Sequence, residues 1–397
     1  MPDLPAASDL LVELVRTPSV TPNAGAALDV LERRLSPAGF AVERPIFAGS
    51  GAEPVENLFA AIGAGERHLT LAGHVDVVTP GPETRWRHPP FAAVVEDGVL
   101  YGRGAVDMKG GLAAMTAAAL RFVARRGENF GGRLSLLITG DEEGVAVNGT
   151  AKLLEWAAAR GERFSGALVG EPTSARELGD QIKIGRRGSF SATLTVEGKQ
   201  GHAAYPEMAD NPVRGMIALL AALLADPLDD GSEHFGPSTL EVVSVDVGNS
   251  AWNVIPAIAT ARINSRFNDR WSRAALKAEI ERRLAAAASG PALGARIPVN
   301  WRLAEEAARS DVFLTRDDAL IGCLSDAVEA VTGRRPALST SGGTSDARFI
   351  RFYCPVVEFG PVGMTMHQID ERVPLAEVEQ AARIYETFLR FYFPNDG

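Results

Sequence analysis

The sequence predicts an α/β domain interrupted by a smaller two-layer α+β domain, on three observations. Over residues 1–180, helix-period segments are interleaved with short apolar runs, the pattern of strands joined by crossover helices. From residue 181 the order becomes strand, helix, strand, strand, helix, strand, which is the split β-α-β-β-α-β pattern of a small domain. After residue 300 the first alternation resumes, and 397 residues are too many for one ordinary core. We therefore assign 1–180 and 301–397 to one discontinuous domain and 181–300 to an insertion within it.

The elements follow in chain order. "MPDLPAASDLLVELVRTPS" has no basic n-region and Glu13 breaks its apolar run, so it reads as an amphipathic helix capped by Ser8 rather than a signal peptide. Helical periods cover 26–35, 110–126 and 148–160, and "HLTLAG", "RLSLLITG" and "GALVGEP" read as buried strands. Such an alternation forms a largely parallel sheet whose functional loops collect at the carboxyl ends of the strands. In the insertion, "GSFSATLTVEG" alternates as a strand, and Asn211 and Pro212 open a helix. "STLEVVSVDVG" and "VIPAIATARINSRF" form a hairpin, followed by a helix over 272–289 and the strand "ARIPVNWRL". The chain closes with a helix over 317–331, the strand "CPVVEFG" and a helix over 374–391.

Composition narrows the partners. Lys plus Arg (40) against Asp plus Glu (50) leaves a net charge of −10, so no basic field exists to attract nucleic acid or an anionic membrane. No window approaches the ~18 apolar residues of a spanning helix. Cys323 and Cys354 lack C-x-x-C spacing, which predicts buried thiols in a reducing cytoplasm.

The residues able to carry chemistry sit at strand ends. "LTLAGHVDVV" sets His74 and Asp76 on one face, where the carboxylate can fix the imidazole tautomer or both can simply bond a turn. In "YGRGAVDMKGG", Asp107 replaces the third glycine of a dinucleotide fingerprint and would face a pyrophosphate, so a Rossmann oxidoreductase is disfavoured. Asp107 is then a helix N-cap or a metal ligand. "LLITGDEEG" crowds Asp141, Glu142 and Glu143 after a strand, an unfavourable arrangement unless a cation or solvent compensates. Glu171 ends "GALVGE", and His367 follows "CPVVEFG". Two imidazoles with several carboxylates and no thiol suit two divalent ions sharing one carboxylate.

In this order, "GHVDVV", "GRGAVDMKGG", "TGDEEG", "GEPT" and "GPVGMTMHQIDE" resemble the co-catalytic zinc peptidase family of aminoacylases and related amide hydrolases, across nearly the whole chain. The resemblance implies a zinc-peptidase-like catalytic domain carrying two zinc ions per subunit, with cobalt able to substitute. His74 and Glu171 would hold one ion, Glu143 and His367 the other, and Asp107 would bridge them. Asp76 would orient His74, and Glu142 would be the general base. The insertion would be a lid and dimerisation domain of a homodimer, with His202 reaching the partner's active site.

"IKIGRRGSF", "GKQGHAAYPEMADNP", "NVIPA" and "SGGTSDARFI" narrow the resemblance to the branch that removes a succinyl group from a diamino dicarboxylic acid. That branch implies Arg186, Ser189, His202, Tyr205, Asn253, Arg266, Gly343 and Thr344 as substrate contacts. A guanidinium pairs bidentately with a carboxylate, whereas a lone arginine is ordinarily a solvated surface group. The loop "SGGTSD" has no lysine and is not a P-loop. One departure stands out: the branch's paired asparagines appear here as Trp252 and Asn253. Other N-acyl amino acid hydrolases of the family are the nearest rivals, and a non-catalytic metal-binding scaffold is the rival from another class.

Overall fold

The computed structural model describes residues 6–49, 51–290, 298–306 and 310–394. It divides into two compact units, one of Met1–Ile184, Thr315–Ser339 and Ser345–Gly397, the other of Gly185–Leu314 and Thr340–Thr344.

The first unit is built on an eight-stranded sheet in the order Ala41–Glu43, Leu58–Gly63, Arg133–Thr139, His68–His74, Gly166–Val169, Val356–Glu358, Gln181–Lys183, Ala337–Ser339. Its four central strands, from Arg133–Thr139 to Val356–Glu358, are mutually parallel. The sheet as a whole is mixed rather than largely parallel. Leu58–Gly63 pairs antiparallel with both its neighbours, and Gln181–Lys183 meets Val356–Glu358 antiparallel. Among the described residues no helix separates Ala41–Glu43 from Leu58–Gly63, and antiparallel neighbours need no such crossover.

The strand His68–His74 is buried at every position, as a central parallel strand must be. The helix that follows it, Lys109–Arg126, is rich in Gly and Ala and is buried on nearly every side. A Cβ at Gly111 would overlap the carbonyl oxygen of Gly170, so glycine there lets the helix lie directly on the strand end that leads to Glu171. At the N-terminus the helix is Ala7–Arg16, and Ser8 lies inside it rather than capping it. The cap comes from a distant helix: Glu379 Oε1 accepts the Ser8 backbone N–H at 2.9 Å and its hydroxyl at 3.0 Å.

The second unit has the order strand Gly188–Glu197, helix Pro212–Leu224, strands Thr239–Asp246 and Ile258–Phe267, helix Arg273–Ala288, strand Asn300–Glu305. Residues 295–297 of the expected strand "ARIPVNWRL" lie outside the described residues. The strands form one antiparallel sheet in the order Thr239–Asp246, Ile258–Phe267, Gly188–Glu197, Asn300–Glu305. Asn211 and Ser272 cap the two helices by accepting the N–H groups of Val213 and Ala275. Phe190, Leu194, Val196 and Ile263 of the sheet pack with Met216, Leu219, Ile280 and Leu284 of the helices into one core. This unit runs past the expected boundary at 300, because Asn300–Glu305 pairs with Ala192–Glu197 and Phe313–Leu314 pairs with Gly185–Arg186.

Candidate metal centre

The four central strands are parallel neighbours, so their carboxyl ends share one edge of the sheet. His74 is the last residue of its strand and pairs in register with Thr139, after which come Asp141, Glu142 and Glu143. Val169 pairs with both Ala72 and Glu358, which brings Glu171 and the loop leading to His367 to the same edge. Residues spread from 74 to 367 thus converge by topology alone.

Two groups of potential ligands form there: His74, Asp107 and Glu171, and Asp107, Glu143 and His367, each with its ligand atoms within 4.8 Å of one another. Asp107 belongs to both. Its Oδ1 lies 3.3 Å from His74 Nε2, and its Oδ2 lies 3.3 Å from His367 Nε2. Glu171 Oε1 is 3.8 Å from His74 Nε2, and Glu143 Oε1 is 2.8 Å from His367 Nε2. Asp107 does not cap the following helix; Met108 occupies that position, with no side-chain cap.

The electrostatics ask for positive charge. Burial works against a charge on His74, yet the bond to Asp107 and the charges of Asp76 and Glu171 hold its pKa well above the ordinary histidine value. His367 is raised to about 10, through Asp107 first and Glu143 second. Burial opposes ionisation of Asp107 as well, but the two histidines hold its carboxyl well below the usual range. The carboxylates thus keep protons on both imidazoles. A divalent cation satisfies the same demand, and the donor set of imidazole nitrogens and carboxylate oxygens without thiolate fits zinc, cobalt or manganese.

Asp76 meets His74 through its backbone as well as its side chain. The His74 Nδ1 bond goes to the backbone carbonyl of Asp76 at 2.8 Å, whereas the carboxylate is 3.6 Å away. That carboxylate, fully buried, instead accepts the backbone N–H groups of Glu142 at 3.2 Å and Glu143 at 3.0 Å. Asp141 is also structural: it accepts the N–H groups of Ala146, Val147 and Asn148 and so folds its own loop. The Glu142 carboxyl is raised to about 8, by burial first and then by the neighbouring Asp346 carboxylate.

Three buried neighbours fall inside the quoted motifs, yet the sequence assigns them no role. Glu371, Arg103 and Asp346 are buried beside the metal-ligand loops, with partners far away in the chain. Buried Lys109 donates to the carbonyls of Leu14 and Thr17, each at 2.9 Å, pinning the N-terminal helix to the segment that carries Asp107.

In the second unit the expected substrate contacts fall into two groups. Arg186 is buried rather than a solvated surface arginine, and its guanidinium donates to the carbonyl of Gly343 at 3.0 Å, next to Thr344. Ser189 pairs in register with Arg266, whose guanidinium pKa is lowered by burial and by the nearby Arg187. The other group surrounds the short ladder Gly201–His202 with Val254–Ile255. There the His202 and Tyr205 rings lie 5.6 Å apart, and the Asn253 carbonyl accepts the Ala203 N–H at 2.9 Å. Trp252, beside Asn253, is fully exposed.

The fold and this edge cluster are those of a metallopeptidase-like hydrolase, and the chain belongs to peptidase family M20/M25/M40, whose family signature matches residues 70–390. In sequence it is 57% identical over 394 residues to the succinyl-diaminopimelate desuccinylase of Methylobacterium sp. (strain 4-46), spanning 99% of this chain and 98% of that one. It is 55% identical over 397 residues to the succinyl-diaminopimelate desuccinylase of Methylobacterium nodulans, spanning 100% of this chain and 98% of that one. Among solved structures, a tripeptidase from Staphylococcus aureus superposes with a TM-score of 0.77 at 20% identity, covering 98% of each chain. No helix among the described residues is long and apolar enough to cross a membrane.

Proposed function

We propose that this protein is a metal-dependent amide hydrolase that converts N-succinyl-LL-2,6-diaminopimelate and water to LL-2,6-diaminopimelate and succinate, a step toward lysine and cell-wall precursors. One observation carries the metal-dependent part: the two oxygens of Asp107 face different histidines, each with its own carboxylate. The full-length identity of 57% to a named desuccinylase supports the substrate.

In this reading His74 and Glu171 hold one zinc ion, Glu143 and His367 the other, and Asp107 is common to both; cobalt can substitute. Bound there, the pair of ions supplies Lewis acidity, lowering the pKa of a water and polarising an amide carbonyl. Glu142 takes the proton of the nucleophilic water and delivers one to the departing amine. Asp76 holds the Glu142–Glu143 backbone, so one carboxylate faces the ions while the other stays free to move a proton.

The substrate carries three carboxylates and one ammonium, and the chain's net charge of −10 repels it, so local cations must do the binding. Arg186 and Arg266 serve that role, with Ser189, Gly343 and Thr344 beside them. His202, Tyr205 and Asn253 act on the substrate bound by a second copy of the chain, in a homodimer formed through the second unit. Two observations support this. Ser189 and Glu197 stand at opposite ends of one strand, roughly 25 Å apart, and the His202 ladder lies beyond the Glu197 end, too far for one small molecule to touch both groups of a single chain. The strand Thr239–Asp246 is also an unpaired sheet edge, with Val243 and Val245 exposed. Cys323 and Cys354, neither in a disulfide, fit a reducing cytoplasm.

The test is hydrolysis of N-succinyl-LL-diaminopimelate and of N-acetylornithine by the zinc-loaded protein, with a chelated control. Chelator-sensitive turnover of the succinyl compound alone is expected. Turnover of the acetyl compound instead would reassign the substrate, and silence on both would overturn the desuccinylase reading in favour of another acyl-amino acid or a binding role.

A further inference from the structure

We propose that Glu371, paired with Arg103, is a positioning residue that sets Asp107 against His367 and thereby fixes the second metal position. This rests on the metal-centre reading above.

Glu371 is completely buried and both its oxygens are committed. Oε1 accepts the backbone N–H groups of Val106 at 2.8 Å and Asp107 at 3.1 Å. Oε2 accepts Gly104 N–H at 3.0 Å and Arg103 Nη1 at 2.6 Å. The Glu371 carbonyl takes Gly102 N–H at 2.9 Å, and Arg103 Nη2 turns to the carbonyl of His367 at 3.4 Å. Arg103 is itself held, its guanidinium lying 5.2 Å over the Trp86 ring, whose Nε1 donates to Pro80 at 2.9 Å. The segment 102–107 and the segment 367–371 are thereby zipped together by one ion pair. One segment ends in the carboxylate common to both ligand groups and the other begins with the exposed histidine of the second.

A buried ion pair is a poor source of net stability, because desolvation offsets most of the attraction. This pair nevertheless draws the N–H groups of Gly104, Val106 and Asp107 onto one carboxylate, which determines where the Asp107 side chain leaves the backbone. His367 has φ of 60°, a left-handed conformation that is unfavourable for an L-residue and that the surrounding bonds must hold. Outer partners of metal ligands that orient them in this way change metal affinity by about 10–100-fold when removed.

The experiment compares wild type, Glu371→Gln, Glu371→Asp and Asp229→Asn, each stripped with chelator and titrated with Co2+ by calorimetry, with visible absorption, thermal midpoint, kcat and KM recorded. Asp229 provides the comparison. It is a similar loop staple in the second unit, accepting Gly231 N–H at 2.8 Å and Trp271 Nε1 at 2.8 Å, with no part in the metal centre. Glutamine at 371 offers an NH2 where a carboxylate oxygen now accepts. The second Co2+ equivalent should weaken by about 10–100-fold with an altered absorption band, and kcat should fall with KM little changed. Glu371→Asp should recover part of each, whereas Asp229→Asn should lower only the thermal midpoint. Wild-type Co2+ affinities and spectrum in Glu371→Gln would overturn the proposal. If that variant does not fold, an unchanged second affinity in Glu371→Asp overturns it equally. Fewer than two equivalents in the wild type would overturn the metal-centre reading, and this inference with it.

Discussion

Glu142 and Glu143 hang from one anchor, the Asp76 carboxylate, but their side chains meet different surroundings. Glu143 faces His367 at 2.8 Å, while Glu142 is half-buried near Asp346 and belongs to neither ligand group. Removing only its charge separates the proposed roles. Glu142→Gln should bind two Co2+ with wild-type affinity while kcat falls by about 10²–10⁴-fold. A variant that kept most of its kcat would end the proton-transfer role. A second titrating residue acts on stability alone. His68, at the opposite end of the strand from His74, is lowered to about 4, by burial first, and its Nε2 bonds the Ser135 hydroxyl at 2.8 Å. Its folded pKa lies below the unfolded value of 6.5, so the unfolded chain binds more protons between the two. The stability due to neutral His68 is therefore complete above pH 6.5 and is lost as pH falls toward 4. In metal-free protein, urea melts at pH 7.5 and pH 5 should show wild type losing about 2 kcal/mol more than His68→Gln. Equal losses would show that His68 is not held neutral.

Among the elements, what the sequence makes legible is what is local. The helices opened by Asn211 and Ser272 begin where the caps indicate, since a cap and its N–H partner lie two or three residues apart. Ser8 has the same residue type before an apolar run, yet a carboxylate 371 residues away takes over its capping, and no local pattern encodes that. Glu379→Ala should accordingly lower the urea midpoint by an amount equal to about 1 kcal/mol, whereas Ser8→Ala should cost less because the backbone N–H bond survives. If Ser8→Ala costs more, the serine side chain caps the helix after all. The strand-end positions of His74, Glu142, Glu143 and Glu171 are legible because buried parallel strands read as apolar runs with their chemistry just beyond. Glu371 ends a quoted motif, but its role is not legible there, since its bond to Asp107 spans 264 residues. The short outer strands are equally silent: Ala41–Glu43 has an exposed, half-buried, exposed pattern and forms only by pairing with a buried neighbour.

At the scale of the whole molecule, the question is whether one chain is a complete enzyme. The second unit's candidate contacts lie toward opposite ends of the strand Gly188–Glu197, which pairs with Ile258–Phe267 without a register shift. If both groups serve one substrate, a site must draw Arg186 and Arg266 from one copy and His202 from another. Subunit mixing exposes such sharing. In a hybrid of a Glu142→Gln chain and a His202→Ala chain, one site lacks both groups, while the other keeps its own Glu142 and receives the intact His202 of its partner. Each parental variant should be nearly inactive. Random reassortment of a twofold dimer makes half the dimers hybrid with one working site each, so activity should return to about a quarter of wild type. The recovery should follow the kinetics of subunit exchange, which separates it from any direct effect of mixing. Substantial activity in His202→Ala alone would show that the histidine is not needed, and two inactive parents that stay inactive after verified exchange would confine each site to a single chain.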